Sequence, residues 1–269
     1  MEKELNAYIA DEQFDIKNAP TLNTKGQPEN KELREQWINE HSKELYHLQN
    51  LLYADGSKGI LVILQGMDTS GKDGVIRYVF HNVNPQGVRF YSFKSPTEEE
   101  LAHDYLWRIH KQVPKKGEIV VFNRSHYEDV LISRVRNWID DTEVAKRIKQ
   151  INDFERMLIE NNILVVKIFL HISKDEQKKR LQKRIENKQK WWKFNPADLE
   201  DRKLWDNFQA QYQHVIRQTS TSHAPWFIVP SDSKSSRNII IMQIMTTLLK
   251  SLDLHYPVVD NSNWPKLVE

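Results

Sequence analysis

Five short apolar runs punctuate the chain: Ile60 to Leu64, Val88 to Phe93, Ile119 to Phe122, Ile163 to Leu170 and Trp226 to Val229. Each is continuous rather than alternating, which is the pattern of a strand covered on both faces. The segments between them carry a helical period instead, as in Ile148, Ile151, Phe154 and Leu158. Strands that alternate with helices predict an α/β fold, a parallel sheet of about five strands flanked by helices and joined by right-handed crossovers. Ahead of the first strand, Asn30 to Tyr53 sets Leu33, Trp37, His41, Leu45, Leu48 and Leu52 at steps of three and four, an amphipathic helix. Turn residues, Asp55-Gly56-Ser57-Lys58-Gly59, end it. The pattern divides the chain into an extended lead with its helix (1–58), a core (59–254) and a tail with two prolines (255–269) that packs on the body or on a neighbouring subunit.

Composition narrows the setting. A chain of 269 residues that is 39% hydrophobic can bury one sizeable core with an appendage, or two small cores, and one principal domain is expected. It contains no cysteine, which excludes disulfides, thiolate metal sites and cysteine nucleophiles and fits a reducing cytoplasm, where we expect the protein. The first residues, MEKELNAYIADEQFD, are acidic where a secretory leader needs an apolar stretch, and no later run is long enough to span a bilayer, so no membrane association is expected. The formal net charge is only +2, so any attraction to a polyanion has to come from a local cluster.

The first apolar run leads into Gly66-Met67-Asp68-Thr69-Ser70-Gly71-Lys72-Asp73-Gly74. A strand before and a helix after make this GxxxxGK stretch a phosphate-binding loop: glycines let backbone N–H groups converge on oxygens, the helix N-terminus adds partial positive charge, and the lysine bridges phosphoryl groups. Gly66, Thr69, Ser70, Gly71, Lys72 and Asp73 are therefore the expected phosphate-binding residues. The hydroxyl that normally follows the lysine is replaced by Asp73. At the end of the third run, where many P-loop enzymes place a metal-holding aspartate, stands Asn123, followed by Arg124. Asp68 is then the best remaining carboxylate for a divalent ion, with Asp73 a weaker candidate that could simply face the helix dipole.

The local cationic cluster is Lys174, Lys178, Lys179, Arg180, Lys183, Arg184, Lys188, Lys190 and Lys193. It follows the fourth run and so leaves the sheet at the end where open α/β sheets bind ligands. Arg180 and Arg184 are four apart, on one helical face, and are expected to grip one phosphoryl group together. Trp191-Trp192-Lys193-Phe194-Asn195-Pro196-Ala197-Asp198 breaks the helix before another begins near Asp198, which predicts a helical lid over about 174–206. Further on, Asp232 is the expected cap of the helix carrying Lys234 and Arg237, and His126, Tyr127 and Glu128 are expected to start a helix near the site.

Taken together, the loop GMDTSGKDG, the segment Phe122-Asn123-Arg124-Ser125-His126-Tyr127-Glu128-Asp129-Val130-Leu131, the lid KWWKFNPADL with Trp205-Asp206, and the late stretch Pro230 to Arg237 resemble the polyphosphate kinase 2 family. The resemblance runs from about Leu45 to Leu252. It implies a P-loop kinase fold, Mg²⁺ (or Mn²⁺) held by the in-loop aspartate, and a homo-oligomer, dimer or tetramer. It also implies reversible transfer of phosphoryl groups between inorganic polyphosphate and purine nucleotides, AMP and ADP above all, with GMP and GDP as alternatives. The stretch NRSHYED is most similar to the subgroup that accepts both mono- and diphosphates.

On this reading Asp68, Lys72, Arg124, Arg180 and Arg184 are catalytic, with Asp68 the metal ligand. Asn123, Arg124, Arg77, Lys94 and Asp198 contact the nucleotide, and Lys183, Lys188, Lys190 and Lys193 line the path of the polymer. Two other functions compete. An ATP-dependent nucleoside monophosphate kinase would share loop, lid and sheet. A nucleic-acid-binding ATPase module would use the basic segment and its tryptophans, but the near-zero net charge speaks against it, and no nucleic acid is expected as a partner.

Overall fold

The computed structural model describes residues 5–262 and Trp264. Its centre is a five-stranded, wholly parallel sheet made of β1 (Gly59–Gln65), β2 (Val88–Ser92), β3 (Ile119–Asn123), β4 (Ile163–His171) and β5 (Trp226–Pro230), in the order β2-β3-β1-β4-β5. After β1 the chain crosses to the edge strand β2, returns to β3 beside β1, and then builds β4 and β5 on the other side. The crevice at the carboxyl end of β1 is therefore the topological switch point, where such sheets bind ligands. The five runs expected from hydropathy are these five strands.

Strand alternation sorts the apolar side chains into two cores. Ile60, Val62 and Leu64 of β1 face one layer, with α1 (Lys31–Asp55), α2 (Lys72–Val79) and the last helix, α7 (Lys234–Lys250). Leu61 and Ile63 face the other, with α3 (Asp141–Glu160) and α6 (Trp205–Thr219). Every residue of β1 is buried. After β4 come α4 (Lys174–Glu186), a 3₁₀ turn at Lys188–Lys193, and α5 (Ala197–Lys203), the helix-turn-helix expected over 174–206.

Local signals set several boundaries. The Asn30 side chain accepts the Leu33 N–H at the start of α1, and Gly56, at φ 64°, ends that helix in the left-handed region. The stripe that α1 buries is Ile38, Ser42, Leu45, Gln49 and Leu52, rotated from the expected one, and Leu33 is exposed. Gln49 can lie in this interface because its side-chain oxygen accepts the Asn84 N–H. The cap of α7 is Ser233, which accepts from Ser236 N–H, and not Asp232 as expected from the sequence. Asp232 lies one residue too early, and its carboxylate accepts from the Ser173 N–H and the Thr21 hydroxyl, each at 2.8 Å.

The lead is extended but not detached. Ala10 N–H bonds to Trp226 O and Ile228 N–H bonds to Tyr8 O, so residues 8–10 run antiparallel along the outer edge of β5. Ala10, Phe14 and Ile16 enter the same core as α3 and α6. At the other end, His255 N–H bonds to Asp55, and the tail beyond is exposed as far as it is described. No helix among the described residues is long and apolar enough to cross a membrane.

One core contains charge. Lys167, in the middle of β4, is fully buried and donates to Glu155 at 2.6 Å, to Thr219 O at 2.5 Å and to Tyr127 at 3.2 Å. The Tyr127 hydroxyl also donates to Glu155, at 2.7 Å. Burial raises the Glu155 carboxyl, but Lys167 and His126 outweigh it and hold the group below its ordinary range. Removing one member leaves the other charge unpaired in the interior, so Lys167→Met should cost about 3–5 kcal/mol in urea unfolding. Adding Glu155→Gln should restore part of that loss, and a double variant no better than the single one would show that the ion pair is not what the site depends on.

Candidate active site

The phosphate-binding loop leaves β1 at Gln65 and enters α2 at Lys72. Gly66 has φ 149° and sits so close to β4 that a β-carbon would lie 2.7 Å from Leu170 O. Two non-glycine residues of the site, Thr69 and Arg124, are also held in the left-handed region, each at φ 64°. Such conformations persist only where surrounding bonds fix them.

Those bonds come from behind the loop. Gln177 on α4 donates to Asp68 O at 3.1 Å. Arg180, 7% exposed, donates through Nη1 to Thr69 O and Ser70 O, both at 3.0 Å. Arg237 on α7 donates to Ser70 O at 3.1 Å. Three consecutive carbonyls are thus tied to donors in the body of the protein. In trans peptides the N–H opposes the C=O, so the N–H groups of Thr69 and Gly71 point away from those donors, while the Ser70 N–H is taken by Met67 O. The Thr69 and Ser70 hydroxyls are buried and make no hydrogen bond, which suits them to phosphate oxygens. Lys72 folds over the front, its ammonium 2.6 Å from Gly66 O, and burial lowers its pKa.

A pocket in front of the loop is lined by Asp68, Lys72, Arg124, Glu128, Asp201 and Tyr212, among others. The pairing of Leu64 with Asn123 sets the end of β3 directly beside the loop strand. There Asn123 donates to Asp73 at 2.7 Å, and Arg124 meets Asp68 at 3.2 Å. An aspartate at 123 would set two carboxylates against each other, so the amide fits the unusual Asp73 that follows the lysine. Beneath, His126 and Tyr127 start a 3₁₀ turn and are fully buried, while Glu128 reaches the pocket and accepts from Gln65 at 2.9 Å.

The other expected residues divide into two sets. Arg184 donates to Asp198 at 3.1 Å and to Lys193 O at 3.2 Å, closing the turn of the lid. Lys193 lies 3.8 Å from Asp73. Lys183, Lys188 and Lys190 are exposed along the same segment. Arg180 and Arg184 do not share one anion in this structure. The five N–H groups of Arg180 are taken by Glu176 and by the carbonyls of Thr69, Ser70, Ser231 and Asp232. Arg77 and Lys94 are exposed and lie outside the pocket lining. Sequence reasoning passed over Asp201, which pairs with Arg136 and lines the pocket; its signal was its place three residues after Asp198, on the same helical face.

Among the described residues no group of three or more acidic or histidine side chains could hold a metal unaided. Asp68 beside the loop, with Glu128 and Asp201 across the pocket, is a sparse oxygen set. It fits Mg²⁺, which takes one or two carboxylates and completes its shell with phosphates and waters.

Sheet order, loop and lid define a nucleotide-kinase type of P-loop protein. The chain belongs to the polyphosphate kinase 2 family, whose model matches residues 28–257. It is 51% identical over 228 residues to the AMP/ADP-polyphosphate phosphotransferase of Meiothermus ruber, covering 85% of each chain. It is 42% identical over 241 residues to the ADP-polyphosphate phosphotransferase of Rhodopseudomonas palustris, covering 85% of this chain and 83% of that one. The crystal structure of polyphosphate kinase 2 from Arthrobacter aurescens TC1 superposes with a TM-score of 0.91 at 41% identity, covering 94% of this chain and 91% of the other.

Burial, and then the nearby Asp68, push the Asp198 carboxyl up to about 6. In an Asp68→Asn variant that repulsion is gone, so Asp198 should titrate at lower pH than in the unchanged protein, as read by side-chain carboxyl NMR. An unmoved midpoint would show that burial alone sets it.

Proposed function

We propose that the protein transfers a phosphoryl group from inorganic polyphosphate to AMP and to ADP, giving ADP and ATP, in a reversible reaction. The observation that carries this reading is the loop whose carbonyls are tied backward beneath a pocket where Asp68, Lys72 and Arg124 meet. The half-identical Meiothermus relative, named for use of both AMP and ADP, supports the dual acceptor.

Phosphoryl transfer needs positioning and charge neutralisation more than covalent chemistry from the protein. The N–H groups of Thr69 and Gly71 and the ammonium of Lys72 hold phosphate oxygens; Lys72 exchanges its bond to Gly66 O for one to the ligand. Arg124, held close by its strained backbone, reaches the charge that spreads over the transferring group. Arg184 approaches from the lid, where Nη1 is anchored while Nε and Nη2 make no bond among the described residues. Arg180 acts from behind, by fixing the loop. Asp68 would hold Mg²⁺ or Mn²⁺, which when bound would neutralise phosphate charge. The exposed Lys183, Lys188 and Lys190, with Lys193, line the polymer's path, and closure of the lid excludes water as a competing acceptor. Asn123 and Asp198 border the nucleotide. Arg77 and Lys94, exposed on the core outside the pocket lining, are assigned to an outer phosphate of the nucleotide.

A homo-oligomer, dimer or tetramer, draws support from the exposed Tyr256, Val258 and Val259 of the tail. A cytoplasmic location draws support from the absence of cysteine.

The direct test incubates purified protein with Mg²⁺ and long-chain polyphosphate, gives AMP or ADP as the only nucleotide, and separates products by chromatography. ATP from both acceptors is expected. ATP from ADP alone would remove AMP from the acceptors, and transfer from ATP to AMP without any from polyphosphate would remove the proposed donor. Arg124→Ala should lower turnover by ~10³-fold or more, and a loss under tenfold would take it out of the catalytic set.

A further inference from the structure

Arg237 is a buried cation with no anion of its own. It is 1% exposed on the first turn of α7. Its Nε and Nη2 donate to the side-chain oxygen of Asn238, at 3.1 and 2.7 Å, and Nη1 donates to Ser70 O. These partners are neutral dipoles. Among the described residues no carboxylate pairs with it, and the charge that acts on it is that of Arg180, which is also positive. Arg180 differs in having Glu176 at 2.8 Å. A buried charge without a counter-charge is unfavourable, and proteins rarely keep one that has no use.

Its position shows a use. A β-carbon on Gly71 would lie 1.7 Å from Nη1, and one on Gly74 would lie 3.0 Å from Nη2. The guanidinium therefore occupies the space that two side-chain-free positions leave open directly behind the phosphate-binding loop. On the other face of that loop are the N–H groups and the start of α2, where an anion binds. Water does not screen a charge buried on the inner side, so its field passes through one layer of backbone to the ligand.

We propose that Arg237 is a positioning residue whose counter-charge is the phosphate bound across the loop. It turns the Ser70 carbonyl inward and keeps a positive charge in place that only the ligand neutralises. The ligand-free protein is then less stable than its packing allows, and phosphate binding relieves the deficit. This rests on the phosphate-binding role of the loop given above and not on the identity of the donor.

The test is the isosteric change Asn238→Asp, which gives Arg237 a carboxylate within the distances the amide now spans, together with Arg237→Met, which removes the charge. Thermal unfolding of the full chain, with and without inorganic tripolyphosphate and Mg²⁺, is read beside tripolyphosphate affinity by calorimetry. Both variants should melt as high as the unchanged protein or higher without ligand, bind tripolyphosphate about tenfold more weakly, and lose most of the ligand-induced rise in melting temperature. A purely structural arginine predicts the opposite: Arg237→Met melts lower while its ligand-induced rise is kept. Asn238→Asp tests the idea even if Arg237→Met does not fold, and tripolyphosphate affinity within twofold of the unchanged protein would overturn it. Intact tripolyphosphate binding without turnover of polyphosphate would overturn the donor assigned above and leave this inference standing.

Discussion

The structure turns on the direction in which three carbonyls point. A loop that binds anions through its amides has to place its own oxygens elsewhere, and in this protein Gln177, Arg180 and Arg237 receive those of Asp68, Thr69 and Ser70. The donors come from α4 and α7, which follow β4 and β5 on one side of the sheet. The loop is therefore held by elements far from it in sequence, and the order of the strands brings them behind it. The same bonds tie the root of the lid to the loop. Beyond Arg180, Arg184, Lys193 and Asp198 form a small bonded turn of their own.

The two sides of the sheet deal with charge differently. Under β3 and β4, Lys167 and Glu155 neutralise one another and use Tyr127 and Thr219 to satisfy the remaining donors and acceptors. That arrangement seats the turn bearing His126 and Tyr127, and so places Arg124 and Glu128 at the pocket. Behind the loop, arginines outnumber carboxylates, and burial together with Arg180 lowers Arg237 to about 9. The first arrangement is self-contained; the second is complete only with an anion.

Much of this was legible in the sequence because its causes are local. A strand covered on both faces has to be apolar throughout, so Ile60 to Leu64 and its four counterparts declared the sheet. The glycine spacing around Lys72 declared the loop, and Trp191 to Asp198 the bend of the lid. What was hidden depends on tertiary neighbours. Nothing in the spacing of Arg180 and Arg184 shows that the first faces inward to carbonyls while the second bonds to Asp198 and Lys193 O. Asp232 and Ser233 are both good caps, and the choice between them fell to Ser173 and Thr21, which take the aspartate. The lead looked merely polar and extended, since Ala10, Phe14 and Ile16 follow neither strand nor helix period, yet they complete a core.

That lead has a consequence for how the molecule is made. Residues 8–10 pair with β5, Arg217 donates to Phe14 O, and Thr21 bonds to Asp232, so these residues leave the ribosome well before their partners, which lie more than 200 positions later. At ordinary rates of about 5–20 residues per second, the delay is roughly 10–40 s. During that time Phe14 and Ile16 have no core to enter, and the outer edge of the sheet does not yet exist. Closure of this edge therefore waits until β5 has been made, and the segment that reads as a dispensable preface joins the sheet only then.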